Sequence, residues 1–223
     1  MTSRKPTTPA KPEPLRNKEV KHVLPLAIAL VLSQGVFYAE ENPLVDLKNS
    51  ILGLHLDIRY ATTNNFVKEK LYPEARCLLR KETAEKLKRA QSVLQEKGLS
   101  LKIFDGYRPL SVQKKLWEKY PVEGFVANPA KGSNHNRGAA VDATLVDKDG
   151  KELPMPSAYD EFSDRAHRNY TGGTPEERKN RKTLEDAMQN AGFIGLKSEW
   201  WHFDDTEAKK YPVLDLPFSS VSG

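Results

Sequence analysis

Two short segments, far apart in the chain, carry side chains that could bind a catalytic metal. The first, residues 133–142, holds His135 and Asp142, and the second, residues 199–202, holds Glu199 and His202. Two imidazoles and a carboxylate can supply three ligands to a zinc ion and leave one position open for water. The glutamate is then free to act as a general base. If the two segments meet in the fold, the sequence predicts a metal-dependent hydrolase.

The spacing within each segment places demands on the fold. In one extended strand His135 and Asp142 would lie too far apart to share a metal, since each residue advances the chain by about 3.3 Å. His135 is therefore predicted on a loop that turns back at Gly138, with Asp142 on the strand that follows. Glu199 and His202 fall on opposite faces of a regular strand, so both can address one metal only if the chain kinks between them.

Arg108 follows a glycine turn at a predicted strand end, in the run Asp105-Gly106-Tyr107-Arg108-Pro109. Its guanidinium could stabilise the oxyanion of a tetrahedral intermediate. A structural ion pair with Asp105 is the alternative, and without the metal motif it would be the preferred one.

The other histidines and the single cysteine are assigned surface or packing roles. His22 lies in the N-terminal tail, His55 in an alternating strand pattern and His167 in a basic run. Cys77 has no partner for an internal disulfide and no adjacent nucleophile signature, so we expect a small packed side chain.

The hydrophobic pattern predicts an α+β fold, a single compact domain with a central antiparallel sheet flanked by helices. Helices alternate with short strands and hairpin-like turns, which favours this class over a doubly wound parallel sheet. A helix at 175–192 has the clearest boundary, because Thr174 and Glu177 can form a capping box. The other predicted elements are a helix at 81–97 with Ala84, Leu87, Ala90, Val93 and Leu94 on one face, a helix at 111–120 capped by Ser111, and strands at 45–47, 54–60, 99–105, 139–146 and 193–203.

The N-terminus differs in kind from the rest of the chain. Residues 1–21 are basic and proline-rich, residues 23–32 are apolar, and small and polar residues follow. This layout predicts a basic tail with a signal peptide over 1–39, a catalytic domain over 40–223, and export to the periplasm. A disordered tail before a packed helix, in a cytoplasmic protein, and an uncleaved segment that tethers the protein to a membrane are the alternatives.

Composition excludes some classes of function. The net charge is +5, but residues 1–21 carry six basic and two acidic side chains, so the remainder is close to neutral. A nucleic-acid partner is therefore not expected, and no stable membrane partner is expected once a signal peptide has been cleaved.

Taken together, the two segments resemble the zinc D-alanyl-D-alanine dipeptidases. The pattern Ser133-x-His135-x-x-Gly138-x-Ala140-x-Asp142 occurs with Glu199-Trp200-Trp201-His202, and further segments similar to the family follow in family order over roughly residues 44–218. These further segments are 57–66, 105–109, 180–181, 187–188, 191–193, 211–212 and Phe218.

The resemblance implies a zinc metallopeptidase that hydrolyses the dipeptide D-Ala-D-Ala in cell-wall turnover, with the compact fold shared by zinc D,D-peptidases and hedgehog domains. It implies one zinc ion per chain and a role for each residue of the site. The implied ligands are His135, Asp142 and His202, the general base is Glu199, the oxyanion is stabilised by Arg108, the substrate ammonium is held by Tyr60 and Asp160, and its carboxylate is held by Ser133.

One departure from the family pattern concerns the substrate aspartate. The family usually has Met-Gly upstream of it, and this chain has Met155-Pro156. Because proline fixes φ and lacks an N–H donor, this departure bears on the placement of Asp160 and on selectivity for the dipeptide. The rival functions are a D,D-carboxypeptidase or peptidoglycan endopeptidase acting on longer peptides, and a zinc-binding module without catalysis.

Overall fold

The computed structural model describes residues 1–2, 42–48, 50–122 and 124–222. The chain divides into two units, Met1–Ala39 and Glu40–Gly223. The predicted basic tail and signal peptide, including His22, lie outside the described residues apart from Met1 and Thr2. Among the residues described, no helix is both long enough and apolar enough to cross a membrane.

The second unit is built on a five-stranded sheet with the strand order β2-β4-β5-β7-β6. All neighbouring strands are antiparallel except the edge pair β2 and β4, which is parallel. A separate antiparallel pair is formed by β1 and β3. The strands are β1 (Leu44–Asp46), β2 (His55–Leu56), β3 (Leu78–Arg80), β4 (Ser100–Asp105), β5 (Ala140–Val146), β6 (Phe193–Gly195) and β7 (His202–Asp205).

Three helices complete the unit: α1 (Lys81–Gln95), α2 (Leu110–Lys119) and α3 (Pro175–Asn190). Helices α1 and α3 pack against each other, α1 against β4 and α3 against β5 and β6. Every residue of β5 is buried, which is the pattern of a strand covered on both faces. The predicted α+β class, with a largely antiparallel central sheet and flanking helices, is confirmed.

The helix boundaries agree with the local sequence signal at α3 and differ from it at α1 and α2. Thr174 and Glu177 form the predicted capping box at α3. Gly98 has a φ of 70° in the turn after α1, which ends at Gln95, two residues before the predicted end. The assignment of Ser111 as the cap of α2 is wrong, because the helix begins at Leu110 after Pro109. The backbone N–H of Ser111 instead donates to the distant Asp215 carboxylate, at 2.9 Å.

Three further details correct the sequence interpretation. Val93 is exposed on α1, whereas the other four residues assigned to that face are buried. The strand predicted at 54–60 is only His55–Leu56, because the chain then enters a 3-10 turn over Arg59–Ala61. The strand predicted at 193–203 is a hairpin, in which β6 and β7 pair and residues 196–201 form the connection.

Candidate metal centre and substrate cleft

The first ligand segment folds as the sequence spacing requires. His135 begins a 3-10 turn over His135–Arg137, which ends at Gly138 with a φ of 68°. A Cβ at Gly138 would overlap the side chain of Leu44, so glycine is needed there for both conformation and space. The turn leads directly into β5, and Asp142 lies within that strand.

The second segment brings His202 to the same place through strand pairing. His202 begins β7, and Asp142 is its partner across the sheet. The Nδ1 atom of His202 lies 3.0 Å from Asp142 Oδ1 and 3.1 Å from His135 Nε2, and those last two atoms are 3.3 Å apart. All three residues are buried, and they form a group able to hold a metal ion.

The remaining ring nitrogens define which atoms face the centre of this group. Nδ1 of His135 lies 2.7 Å from the carbonyl oxygen of Gly106, and Nε2 of His202 lies 2.9 Å from Asp204 Oδ1. Both are hydrogen-bond acceptors, so each histidine donates its N–H outward and turns a lone pair inward. Two lone pairs and a carboxylate oxygen then face each other at about 3 Å, an arrangement that a cation between them stabilises.

This donor set fits zinc. Ligands bound to tetrahedral zinc at about 2.0–2.2 Å lie about 3.3–3.5 Å from one another, close to the separations among His135, Asp142 and His202. The outer partners Gly106 and Asp204 are of the kind that orient zinc-bound histidines.

The pKa shifts of His202 and Asp142 show that positive charge is favoured at the three-ligand group when no metal is bound. Burial alone would lower the pKa of His202, but hydrogen bonds to Asp142 and Asp204 outweigh burial and raise that pKa well above its usual value. Burial raises the pKa of Asp142, but His135 and His202 outweigh that effect and hold it far below the usual range. In the absence of metal, a proton on His202 therefore takes the place of part of the cation's charge.

Glu199 lies in the connection between β6 and β7, not on a strand. The chain kinks there, so that Glu199 and His202 both line one cleft despite their i, i+3 spacing. Glu199 is buried, and burial is the main cause that raises its pKa to about 8, with Asp142 adding to the effect and His202 opposing it. A carboxylate with a raised pKa in a cleft beside a metal group is well suited to accept and return a proton.

Arg108 forms the ion pair with Asp105 that the sequence offers as an alternative, and it also lines the cleft. Its Nε and Nη2 atoms donate to Asp105 Oδ2, at 3.0 and 2.7 Å, and Nη1 donates to Gln113 Oε1 at 2.9 Å. The guanidinium also lies over the ring of Tyr60, 5.0 Å from its centroid, and it lines the cleft. The ion pair with Asp105 therefore fixes the orientation of a guanidinium that faces the metal group.

Three residues predicted to hold the substrate line the same cleft: Tyr60, Ser133 and Asp160. The Tyr60 hydroxyl donates to Asp160 Oδ2 at 3.3 Å. Burial, followed by the charges of Asp142 and Glu199, raises the pKa of Asp160 well above its usual value, so a cation beside it would be favourable. The Ser133 hydroxyl accepts the backbone N–H of His135 at 3.2 Å.

Pro156 does not keep Asp160 out of the cleft. Its carbonyl accepts a hydrogen bond from Arg165 Nε at 2.8 Å, and the chain returns to the cleft at Asp160, which has a φ of 57°. Asparagine and aspartate tolerate this left-handed conformation better than most residues.

The cleft has a volume of about 280 Å³, at the small end for ligand sites. One wall is aromatic: the ring centroids of Phe66 and Phe125 lie 5.1 and 4.8 Å from that of Phe162. Trp201 is buried and lines the cleft, whereas Trp200 is buried with its indole N–H donating to Ser157 at 2.9 Å.

Sequence reasoning missed several contributors to the site. Asp204 could have been found, because it lies two residues after His202 and so on the same face of β7. Tyr159, whose hydroxyl donates to Asp142 Oδ2 at 3.0 Å, had no local signal. Neither did Lys209, which lines the cleft and donates from Nζ to Asn134 Oδ1 at 3.4 Å.

His55 and His167, the other histidines that the structure describes, lie outside this group. Within the described part of the chain, His135, Asp142 and His202 are the only three such residues close enough to hold one metal ion. Cys77 is buried, and burial raises its thiol pKa well above the usual value, as expected for a packed side chain.

A mixed sheet that brings two histidines, an aspartate and a buried glutamate to one small cleft defines a metallopeptidase-like site. Residues 40–221 match the D-Ala-D-Ala dipeptidase family of the M15 peptidases. The chain belongs to this family and is a zinc metallopeptidase.

Two relatives of known name, from Escherichia coli and Enterococcus faecium, agree with this assignment. The D-alanyl-D-alanine dipeptidase of Escherichia coli (strain K12) is 38% identical over 181 residues, covering 81% of this chain and 94% of the relative. The enzyme of the same name from Enterococcus faecium is 32% identical, with 70% and 88% covered. A solved structure of the vancomycin resistance D,D-pentapeptidase VanY in complex with Zn(II) is 18% identical, covers 60% of this chain and 78% of its own, and has a TM-score of 0.38.

Proposed function

We propose that this protein hydrolyses the dipeptide D-Ala-D-Ala to two molecules of D-alanine, with Glu199 as general base and Arg108 as the group that stabilises the oxyanion. The observation that carries the proposal is the convergence of the three-ligand group, Glu199 and Arg108 on one cleft of dipeptide size. The names of the curated relatives support the same substrate.

The metal and the protein side chains divide the chemistry. Zinc, when bound by His135, Asp142 and His202, supplies a Lewis acid that polarises the peptide carbonyl and lowers the pKa of water towards neutrality. Glu199 takes the proton of the attacking water and delivers it to the leaving amine, a transfer favoured by its raised pKa. Arg108, held by Asp105, donates to the carbonyl oxygen as negative charge develops there.

The ends of a free dipeptide carry opposite charges, and the cleft offers a matching group for each. Asp160, with the Tyr60 hydroxyl beside it, is the anion for the substrate ammonium. The Ser133 hydroxyl is the donor for the substrate carboxylate. Lys209, which is hydrogen-bonded to Asn134 next to Ser133, places a positive charge near that carboxylate. Recognition of both charged ends selects a dipeptide over an internal segment of a longer peptide.

The experiment that tests this proposal is D-alanine release by the purified protein, with zinc and after chelation. D-Ala-D-Ala is compared with a muramyl pentapeptide that ends in D-Ala-D-Ala. We expect zinc-dependent release from the dipeptide alone. Release from the pentapeptide instead would identify the D,D-carboxypeptidase alternative, and no release from either substrate would favour a zinc-binding module.

We further propose that the enzyme acts outside the cytoplasm, on dipeptide released during cell-wall turnover. The support is the basic and then apolar order of residues 1–32. Fractionation of expressing cells, with sequencing of the mature N-terminus, tests this. Activity in the periplasm with a new N-terminus near residue 40 is expected, whereas an intact chain in the cytoplasm would contradict export.

A further inference from the structure

The guanidinium of Arg168 lies inside the connection that carries Glu199 and leads to His202. Its Nε atom donates to the carbonyl of Leu196 at 3.1 Å. Its Nη2 atom donates to the carbonyls of Glu199, Trp200 and His202, at 3.0, 3.1 and 2.8 Å. One side chain therefore contacts four carbonyl groups along the segment that bears the general base and a zinc ligand.

These carbonyl groups explain why an arginine is needed. A kinked segment turns carbonyls inward that a regular strand would pair with a neighbour, and buried carbonyls require donors. A guanidinium presents several N–H groups in one plane, whereas a lysine presents a single point charge. Arg168 meets the requirement of this kink with one side chain.

Contacts around Arg168 keep the guanidinium in place. Its Cζ atom lies 4.5 Å from the centroid of the Phe203 ring, and Glu185 Oε1 lies 3.8 Å from Nη1. Burial lowers its pKa to about 10, so it remains charged at neutral pH. A Cβ on Gly195 would overlap the guanidinium, so glycine leaves the space that Arg168 occupies.

The backbone reinforces the same attachment. The N–H of Arg168 donates to the carbonyl of Lys197 at 2.9 Å, and the N–H of Trp200 donates to the carbonyl of Ala166 at 2.9 Å. Residues 166–168 therefore support the 196–202 segment from one side, along its whole length.

We propose that Arg168 is a positioning residue for the reaction, which holds the kink through which Glu199 and His202 face the same metal centre. It contacts neither metal nor substrate and acts through the backbone of these two residues. The catalytic part of this inference rests on the proposed function, whereas the structural part does not.

The test compares Arg168→Met and Arg168→Lys with Arg178→Met. Arg178 is a matched control, because it also donates to carbonyl groups, those of Gly172 and Gly173, which belong neither to residues 166–168 nor to the 196–202 segment. Hydrogen exchange of the metal-free proteins, the visible spectrum of the Co(II)-substituted proteins, and kcat and KM for D-Ala-D-Ala are measured for each variant.

In Arg168→Met we expect faster hydrogen exchange confined to residues 196–203 and an altered Co(II) spectrum. We also expect kcat to fall by about 100-fold while KM stays within about threefold of the wild-type value. A small misplacement of catalytic groups has effects of this size on the rate. Arg168→Lys should restore only part of kcat, and Arg178→Met should match the wild type in all three measurements. If Arg168→Met fails to fold, Gly195→Ala displaces the guanidinium while the rest of the chain is retained, and the same changes are expected in milder form.

An unchanged exchange pattern and an unchanged Co(II) spectrum in both Arg168→Met and Gly195→Ala would overturn the proposal. So would a loss of activity that appears only in KM. A wild-type protein that does not hydrolyse the dipeptide would refute the proposed function, and the exchange and Co(II) measurements would then still decide whether Arg168 positions the segment.

Discussion

Asp142 on β5 and His202 on β7 are directly paired across the sheet, with Asp142 Oδ1 3.0 Å from His202 Nδ1. On the other side of β5, Asp142 is paired with Asp105 on β4, after a register irregularity between Ile103 and Asp105. Asp105 in turn orients Arg108. Strand register therefore places two residues of the metal-binding group, Asp142 and His202, in one row with the aspartate that orients Arg108. A slip of one residue would turn one of these side chains to the opposite face of the sheet.

Replacement of a ligand tests the metal centre directly. His202→Ala removes one of three donor atoms, so zinc content after dialysis should fall from about one per chain to a small fraction, together with activity. His55→Ala, which changes a histidine on the edge strand β2, is the matched control and should retain full occupancy. Metal analysis of both proteins gives the answer, and full occupancy in His202→Ala would refute the ligand assignment.

Zinc binding should depend on pH through His202. Because the pKa of His202 is raised in the metal-free protein, this imidazole is protonated below that pKa and zinc must displace the proton. We therefore expect zinc affinity to fall by about tenfold per pH unit below the His202 pKa, and proton release to appear in calorimetry when buffers of different ionisation enthalpy are compared.

Asp204→Asn tests whether the carboxylate hydrogen-bonded to the outward-facing nitrogen of His202 contributes to zinc binding. Loss of this partner of His202 should weaken zinc binding by about 10–100-fold and reduce the proton release, because Asp204 is one cause of the raised pKa. Asp164→Asn, at an exposed turn, is the control. Equal zinc affinity in the two variants would contradict a role for Asp204.

The sequence was sufficient for the parts of this site that depend on local patterns. The turn at Gly138, the β5 strand and the capping box of α3 each follow from residues adjacent in the chain, and the structure has all three. The spacing of Glu199 and His202 shows that the chain must kink before His202, but it does not show the cause, because the donors belong to Arg168, which is distant in the chain. Likewise, no local pattern shows that α2 begins one residue before Ser111 and that the N–H of Ser111 is paired with the distant Asp215.

Glu199→Gln should retain zinc and lose turnover. The amide keeps the shape of the side chain but cannot accept the proton of the attacking water, so kcat should fall by about 10³-fold or more. Glu152→Gln changes an exposed glutamate that pairs with Val146 at the end of β5. It is the matched control and should leave kcat unchanged. Metal analysis and steady-state kinetics measure both effects, and near-normal turnover in Glu199→Gln would remove this residue from the role of base.

The same variant has a predicted effect on the stability of the metal-free protein. The pKa of Glu199 is raised to about 8 when folded, against about 4.3 in an unfolded chain. Between these values the folded state binds the extra proton, so the free energy of unfolding contributed by Glu199 falls as pH rises, by about 1.4 kcal/mol per pH unit. Glutamine does not titrate, and chemical denaturation with chelator should therefore show Glu199→Gln gaining stability over the wild type from pH 5 to pH 8. A difference independent of pH would contradict the raised pKa.

Arg108→Lys tests the oxyanion role with the positive charge beside Asp105 retained. Arg108→Met is less suitable, because it leaves the buried Asp105 with the neutral donors Tyr72 and Gly106 but without the guanidinium. Breaking a buried ion pair in this way costs about 3–5 kcal/mol of stability. Since lysine cannot reproduce the planar arrangement of donors, kcat should fall by about 100-fold while KM changes much less. Arg89→Lys on α1 is the control, and a change confined to KM in Arg108→Lys would make Arg108 a substrate anchor instead.

Lys209→Met tests recognition of the substrate carboxylate. Among the described residues that line the cleft, Lys209 has the only ammonium group, and it lies beside Asn134, next to Ser133. Because the side chain is exposed at the cleft rim, its attraction for an anion should be modest and screened by salt. We expect KM for D-Ala-D-Ala to rise about three- to tenfold with kcat nearly unchanged, and the difference to shrink at high ionic strength.

Lys210→Met, which changes the adjacent exposed lysine, is the control for Lys209→Met and should behave as the wild type. The D-Ala-D-Ala amide, which lacks the carboxylate, should be hydrolysed equally well by Lys209→Met and the wild type, whereas an equal loss on both substrates would show that Lys209 does not recognise the carboxylate.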